Sequence, residues 1–458
     1  MRLPVPLAAE IAAARAAARL SRLAGTGGGT TVPGKLLWKL DPSAVDRLAA
    51  RLPLGSALIS ATNGKTTTAA MAAAILERRV RLAHNRAGAN LVSGVASALL
   101  DARNAQLGLF EVDEAALPEV AMRLRPRAIC LGNLFRDQLD RYGELEHVAE
   151  RWRTAVTALD DRAALVVNGD DPQVGELARA HSNAVVFGID DPRQGRSSLQ
   201  HAADSKYCVR CGTPYEYLTA YVGHLGDYRC PACGHARPAL TVRATEIELH
   251  GLDAVAFTLA LPDGDQRIRL AVPGLYNVYN ALGAAALALS LEVPAAEVRG
   301  GLERFSAAFG RFERIPVGDR RLLMLLIKNP AGANEAVRTI VDGAAPRVAV
   351  IALNDAIADG RDVSWIWDVD FEPLIPGLQM LVATGDRAAE LALRFKYGGL
   401  AGDAIEVIPS LERALDRGLE LTPAGGELVL LPTYTAMLAL RKIVAERGFV
   451  RPYWERAA

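Results

Sequence analysis

Short apolar runs recur along the chain, and between them lie longer stretches in which Ala and Leu fall at helical spacing. The runs Ala57 to Ser60, Leu107 to Val112, Ala128 to Leu131, Ala164 to Val167 and Ala184 to Phe187 have the continuity of strands buried on both faces. Alternating with helices, they predict an α/β fold with a parallel sheet. Residues 205–237 break the pattern, being rich in Cys, Tyr and Gly, and strands at Ala239 to Leu249 and Ala254 to Leu261 resume after them. That stretch reads as a small insertion inside a larger domain. A helix over Val278 to Leu291 closes this domain, and Arg311 to Pro316 is expected to be a hinge. Strands at Leu322 to Ile327, Arg347 to Ala352, Gln379 to Ala383 and Glu427 to Leu431 then predict a second α/β domain. Ahead of the first strand, an amphipathic helix and a turn-rich segment, Gly25 to Pro33, are expected. The expected division is 1–35 for helix and linker, 36–310 for a first domain carrying the 205–237 insertion, and 311–458 for the second.

Composition changes this picture little but excludes several functions. With 458 residues, 50% hydrophobic and 23% charged, the chain has the make-up of a folded globular protein of several domains. Its 52 basic and 52 acidic residues cancel, which argues against coating nucleic acid or an acidic membrane surface. Any bound polyanion is expected to be small and locally held. No run approaches the ~18 apolar residues of a membrane span, so the protein is not expected to be integral to a membrane. Glu10, Arg15 and Arg19 interrupt what a secretory signal would need as an apolar centre, so a cytoplasmic protein is expected.

The first chemistry lies in Ala57-Leu-Ile-Ser-Ala-Thr-Asn-Gly-Lys-Thr-Thr-Thr68. A buried strand runs into Gly64-Lys65-Thr66, and an Ala-rich helix follows. Backbone N–H groups around Thr62, Asn63 and Gly64, together with the helix N-terminus, suit a polyphosphate such as that of ATP. Lys65 supplies charge, and a Thr66 or Thr67 hydroxyl can ligate Mg²⁺. Ile59 stands where the full phosphate-loop pattern has its first glycine. The plainer alternative, a helix start with an incidental lysine, does not account for the flanking strand and triple threonine.

TNGKTTT is similar to the ATP loop of the Mur ligases and folylpolyglutamate synthases, which usually begins with glycine where this chain has Ala61. Further segments resemble the same family in the same order: Glu111 in LFEVDEA, Asn133-Leu-Phe-Arg-Asp-Gln-Leu-Asp140 with Gln138 in place of a histidine, Asn168-Gly-Asp-Asp-Pro172, Gly274-Leu-Tyr-Asn277 with Asn280, and Arg311-Phe-Glu313. The resemblance implies a Mur ligase-like central P-loop ATPase domain. In it Glu111 would be an acidic Mg²⁺ ligand, with Asp113 and Glu114 as lesser companions, and Asn277 and Arg311 would be nucleotide contacts. A carboxylate at a strand end beside the loop suits Mg²⁺. Only about 35 residues precede the expected first domain, so the nucleotide-sugar domain with which a Mur ligase begins is expected to be missing.

Cys208-x₂-Cys211 and Cys230-x₂-Cys233, with 18 residues between the pairs, have the spacing of a four-thiolate zinc ribbon. Four thiolates leave no open coordination position, so such a Zn²⁺ would be structural. Two redox pairs are the alternative. His224 and His235 read as surface or internally satisfied residues. Tyr207, Tyr215, Tyr217, Tyr221 and Tyr228 read as the ribbon's own core before they read as base-stacking residues.

Three later segments, Lys328-Asn-Pro-Ala-Gly-Ala-Asn334, Asn354 through Asp368, and Pro432-Thr-Tyr-Thr-Ala436, resemble the MurT family, which also carries the Cys₄ ribbon. That family is the synthetase subunit that works with a separate glutaminase, GatD, to amidate the peptidoglycan precursor lipid II. The resemblance implies a Rossmann-like C-terminal α/β domain, a GatD-like partner, and action at the inner face of the membrane. It further implies that one aspartate orients the partner's catalytic histidine; Asp362 and Asp368 are the first candidates and Asp359 the next. Six acids among residues 355–372, interleaved with Trp365 and Trp367, suit either a protein interface or a solvated loop packed on its own domain. Cys130, on an apolar strand, reads as a buried hydrophobe, which leaves no glutaminase nucleophile on this chain. The expected activity is Mg-ATP-dependent amidation of the α-carboxylate of D-glutamate in lipid II through an acyl phosphate. Alternatives are a stand-alone amino-acid ligase of the folylpolyglutamate type and a zinc-ribbon nucleic-acid-binding NTPase.

Overall fold

The computed structural model describes residues 32–85, 89–102, 104–137, 145–197, 199–200, 203–306, 312–343 and 346–450. The expected N-terminal helix, Gln138 and Arg311 lie outside the described residues. Val32–Leu40 is a helix, so the last residues of the expected flexible segment, Val32 and Pro33, are helical.

The first sheet draws on β1 (Ser56–Ser60), β2 (Leu82–His84), β3 (Leu107–Glu111), β4 (Ala128–Leu131), β5 (Ala164–Asn168) and β6 (Ala184–Ile189). A hairpin of β7 (Glu216–Val222) and β8 (Leu225–Arg229) stands apart, and β9 (Val242–His250), β10 (Ala254–Ala260) and β11 (Gln266–Leu270) complete the sheet. Its order is β11-β10-β9-β6-β5-β4-β1-β3-β2, parallel from β2 to β9 and antiparallel beyond. Strands β1, β3, β4 and β5 are buried throughout because separate apolar clusters cover the two sheet faces. From β1 the chain moves outward to β2 and β3, then crosses to β4 on the other side of β1. The C-terminal ends of β1 and β4 therefore flank a crevice of the kind in which open α/β sheets bind ligands.

The helix at Leu275–Ser290 begins three residues earlier than the apolar pattern predicts. Its first turn carries the polar Asn277, which faces inward, and Gly274 opens it at φ +89°.

The second sheet, β12 (Glu313–Val317), β13 (Arg320–Met324), β14 (Val348–Ala352), β15 (Met380–Thr384), β16 (Ile405–Val407) and β17 (Glu427–Pro432), has the order β12-β13-β17-β14-β15-β16. All its pairs are parallel except β12 with β13. Much of the stretch expected as a hinge is therefore edge strand β12, a position that tolerates Pro316 because no neighbour needs its missing N–H. The chain past β13 keeps bonding to β17, Leu325 N–H to Leu430 O and Ile327 N–H to Pro432 O, both at 3.0 Å, and so delivers Lys328 to the C-terminal edge of the sheet. There it meets the crevice of the first sheet.

Candidate active site

Four loops converge on the crevice: those after β1, β3 and β4, and the one after β13. The loop after β1 turns at Gly64, whose φ of +84° suits glycine. A Cβ there would also lie 2.0 Å from the Asn280 side-chain oxygen. The loop is held on both sides. Asn133 accepts from Asn63 N–H at 2.9 Å and donates to Asn63 O at 3.1 Å, while Asn280 accepts from Thr68 at 3.2 Å and donates to Asn277 at 3.0 Å. Ala61, where related loops begin with glycine, fits because its neighbour is Gly132: a Cβ at 132 would be 2.8 Å from the Ala61 methyl.

Lys65, at the first turn of helix Lys65–Leu76, is buried and folds back on its own loop. Its ammonium donates to Ala61 O, to Thr62 O at 3.3 Å and to the Glu114 carboxylate at 2.7 Å. Burial draws the Lys65 pKa down, but Glu114 beside it overcomes this and leaves it above the ordinary value. Glu114 is pushed up by burial and pulled further down by Lys65 and Lys328, ending below its usual range. One residue on, the Thr66 hydroxyl donates to Glu111 at 2.8 Å. The Glu111 backbone is fixed by Asn85, which accepts from its N–H at 2.9 Å and donates to its carbonyl at 2.7 Å. A hydroxyl and a carboxylate touching at the mouth of a phosphate loop are the oxygen donors that Mg²⁺ takes, so the residues present fit that ion. Thr62 and Thr67 are buried, Thr67 on the same helix turn.

From the second sheet, Asn329 exchanges amide hydrogen bonds with Asn63 at 3.0 and 3.3 Å. Lys328 donates to Thr62 O at 3.0 Å and to Asp137. Neither residue drew a role from sequence, although a Lys-Asn-Pro between a buried strand and a helix was the available signal. Asn85 and Asn133 were likewise not assigned as supports.

The Asn168 to Pro172 turn is structural. Asp171 caps helix Pro172–Leu177, accepting from Gln173 and Val174 N–H. Asp170 accepts from Ile189 N–H, Tyr279 and Arg237, and burial pushes its carboxyl up to about 6.

The four cysteine sulfurs lie within 4.8 Å of one another, with Cys208 to Cys233 at 3.6 Å and Cys211 to Cys230 at 3.5 Å. Zn–S bonds of about 2.3 Å give a tetrahedron with edges of about 3.8 Å, so the set fits a closed zinc site. The two knuckles turn alike, at Gly212 (φ +73°) and Gly234 (φ +72°). Tyr215, Tyr217 and Tyr228 pack on one another beneath them, while Tyr207 is exposed. His224 and His235 are both buried: His224 lies 3.3 Å from Asp171, and His235 pairs with Glu176 and Tyr215. Cys130 is buried on β4, which pushes its thiol up to about 12.

The acidic loop after β14 divides its aspartates. Asp359 is buried and accepts from the Thr435 N–H and hydroxyl at the start of helix Tyr434–Glu446. Asp368 is half-exposed and lies 3.7 Å from Arg136 of the first sheet. Asp362 is exposed, and hydrogen bonds from Ser364 lower its pKa. Trp365 packs on the core of its own domain; Trp367 is 48% exposed beside Tyr397, with Arg394 over its ring. No helix among the described residues is long and apolar enough to cross a membrane.

Two family models match the chain: the Mur ligase middle domain over residues 59–231 and the MurT ligase C-terminal over residues 326–437. The chain is 33% identical to the lipid II isoglutaminyl synthase (glutamine-hydrolyzing) subunit MurT of Streptococcus pneumoniae, over 94% of this chain and 95% of that one. It is 31% identical to the subunit of the same name from Staphylococcus aureus, over 93% and 94%. Among solved structures it resembles a pseudomurein peptide ligase type C from Methanothermus fervidus, with TM-score 0.71 and 22% identity over 88% of this chain and 80% of that one. It also resembles folylpolyglutamate synthase of Mycobacterium tuberculosis, with TM-score 0.60 and 16% identity over 89% and 93%. These two likenesses identify a Mur ligase-like α/β fold.

Proposed function

Because the chain belongs to the MurT family, we propose that it is the ATP-dependent synthetase subunit of an enzyme that amidates lipid II. The observation that carries this reading is similarity over nearly the whole length to subunits of that name, with Lys65, Thr66 and Glu111 brought together where β1 and β3 end. The γ-phosphoryl group of ATP passes to the α-carboxylate oxygen of D-glutamate in the stem peptide, releasing ADP. Ammonia then attacks the acyl carbon, phosphate leaves, and the nitrogen loses a proton to give D-isoglutamine. The loop amides and Lys65 would stabilise charge on the transferring group, and Thr66 and Glu111 would hold Mg²⁺, which supplies further charge compensation when bound. Asn277, 3.0 Å from Asn280 behind the loop, is a candidate nucleotide contact, and Arg311 remains one from sequence. The four thiolates are proposed to hold a structural Zn²⁺ that ties the ribbon together.

Ammonia would come from a glutaminase partner. A Cys-His pair on that partner needs an orienting carboxylate. Exposure and charge favour Asp362 for this role, since Asp359 is committed to Thr435 and Asp368 faces Arg136. Working on lipid II would bring the chain to the inner membrane face.

The test is mass spectrometry of lipid II incubated with the chain, Mg-ATP and ammonium, against glutamine without a partner. An acid-to-amide mass change with ammonium alone is expected. Addition of an amino acid in its place would mark a folylpolyglutamate-type ligase, and no change even with a glutaminase subunit added would overturn the reading.

A further inference from the structure

The phosphate loop carries one cation of its own, and that cation is already engaged. Lys65 sits 2.7 Å from Glu114, and Glu111 and Asp113 also act on its charge. Three carboxylates thus face one ammonium where a triphosphate would bind. A Mg²⁺ ion and Lys65 together cannot offset both those acids and the charges of the phosphates.

A second ammonium stands at the same loop. Lys328 reaches across from the other sheet to Thr62 O at 3.0 Å, the carbonyl of the same peptide unit as the Asn63 N–H; its other hydrogen-bond partner among the described residues is Asp137, and its charge also acts on Glu114. Its position is set by Asn329, whose amide is locked to Asn63 and also accepts from Gly332 N–H at 2.9 Å. The Lys328 side chain is 30% exposed, against 8% for Lys65, so it has room to move. The Asp137 side chain is 8% exposed, and its Oδ1 has no hydrogen-bond partner among the described residues. Its hold on Lys328 runs through one oxygen.

We propose that Lys328 is the second cation of the phosphate site, held beside the loop by Asp137 and transferred to the terminal phosphate when nucleotide binds. The inference rests on the ATP-site reading above. Because Lys328 and Asn329 belong to the second sheet, docking of that sheet and recognition of the terminal phosphate become one linked equilibrium. A charge-assisted bond made only to the last phosphate discriminates triphosphate from diphosphate.

Calorimetric titration of the full chain with Mg-AMPPCP and with Mg-ADP tests this in wild type, K65A, K328Q, K328R and D137N, each checked for folding by circular dichroism. K328Q is expected to weaken AMPPCP about tenfold or more and ADP by less than about threefold. K328R should recover most of the loss, and D137N should bind AMPPCP at least as tightly as wild type. Unchanged AMPPCP affinity in K328Q, equal losses for both nucleotides, or weakened AMPPCP binding in D137N would each overturn the proposal. Were K328Q unable to fold, K328R and D137N would decide. Failure of wild type to bind either nucleotide, or binding by K65A equal to wild type, would remove the ATP-site reading itself, which is a different outcome.

Discussion

The phosphate loop and the cysteine ribbon are both compact sites, yet they are built in opposite ways. The ribbon takes its four sulfurs from two knuckles within 26 residues, Cys208 to Cys233, and its aromatic support from the hairpin between them. The phosphate loop is also short, but its partners come from the ends of β3 and β4, from helix Leu275–Ser290 and from a second sheet 266 residues away. A site closed within one hairpin can be complete before the rest of the chain folds. A site drawn from four elements exists only when the domains are docked, so its chemistry is coupled to their arrangement.

The largest expected effect is on the loop side. Lys65→Ala should lower ATP turnover by about a thousandfold or more with the circular dichroism spectrum unchanged, because the transferring phosphoryl group loses its buried cation. Turnover near the wild-type rate would break the assignment. On the ribbon side, Cys230→Ser removes a buried thiol of the proposed zinc site and should cost on the order of 3 kcal/mol or more, with loss of bound zinc by elemental analysis. A metal-free protein whose melting temperature is indifferent to chelator would show that the hairpin stands on its tyrosines alone.

Asp362→Asn addresses the third kind of site proposed, one completed by another chain. With the glutaminase subunit present, glutamine-driven amidation should fall about a hundredfold while ammonium-driven amidation stays within about twofold. Equal loss of both would place Asp362 in the synthetase reaction.

The smallest effect concerns Glu335, on the helix that follows Lys328 and Asn329. It is buried, and burial pushes its carboxyl up to about 7 against an ordinary 4.5, outweighing the charges of Arg338 and Arg196 and a contact with Gln200 that pull it down. A raised folded-state value means that its contribution to stability is complete below about 4.5 and lost as pH rises through about 7. Glu335→Gln, which does not titrate, should therefore gain on wild type by about 2 kcal/mol between pH 5 and pH 8, a few degrees in melting temperature. A constant difference across that range would show that the carboxylate is solvated or paired.

The contrast between the sites also explains what sequence could reveal. Paired cysteines have few chemical readings at that spacing, so the convergence of the four sulfurs was legible whole. The strand and Gly-Lys-Thr turn were equally plain, because buried strands and Ala-rich helices leave strong patterns. The partners of Lys65 were not. Glu114 was visible only as one acid among several, and Lys328 and Asn329 depend on the packing of one sheet against another. Among the aspartates after β14, spacing gave no ranking, since burial separates Asp359 from Asp362 and burial is set by Thr435. Where polar residues enter an element, as at Asn277 or in β12, the apolar pattern misplaced its boundary.

The contact between Ala61 and Gly132 carries a consequence for how this loop can change over generations. One methyl fits between the two backbones, and a second would sit 2.8 Å from it. The residue tolerated at one position therefore depends on the residue at the other. Glycine at 61 opens the space for alanine at 132, whereas alanine at 132 arising first must pass through a clashing intermediate. The order of two neutral-looking substitutions decides whether a lineage keeps a working loop, and neither position can be interpreted without its partner.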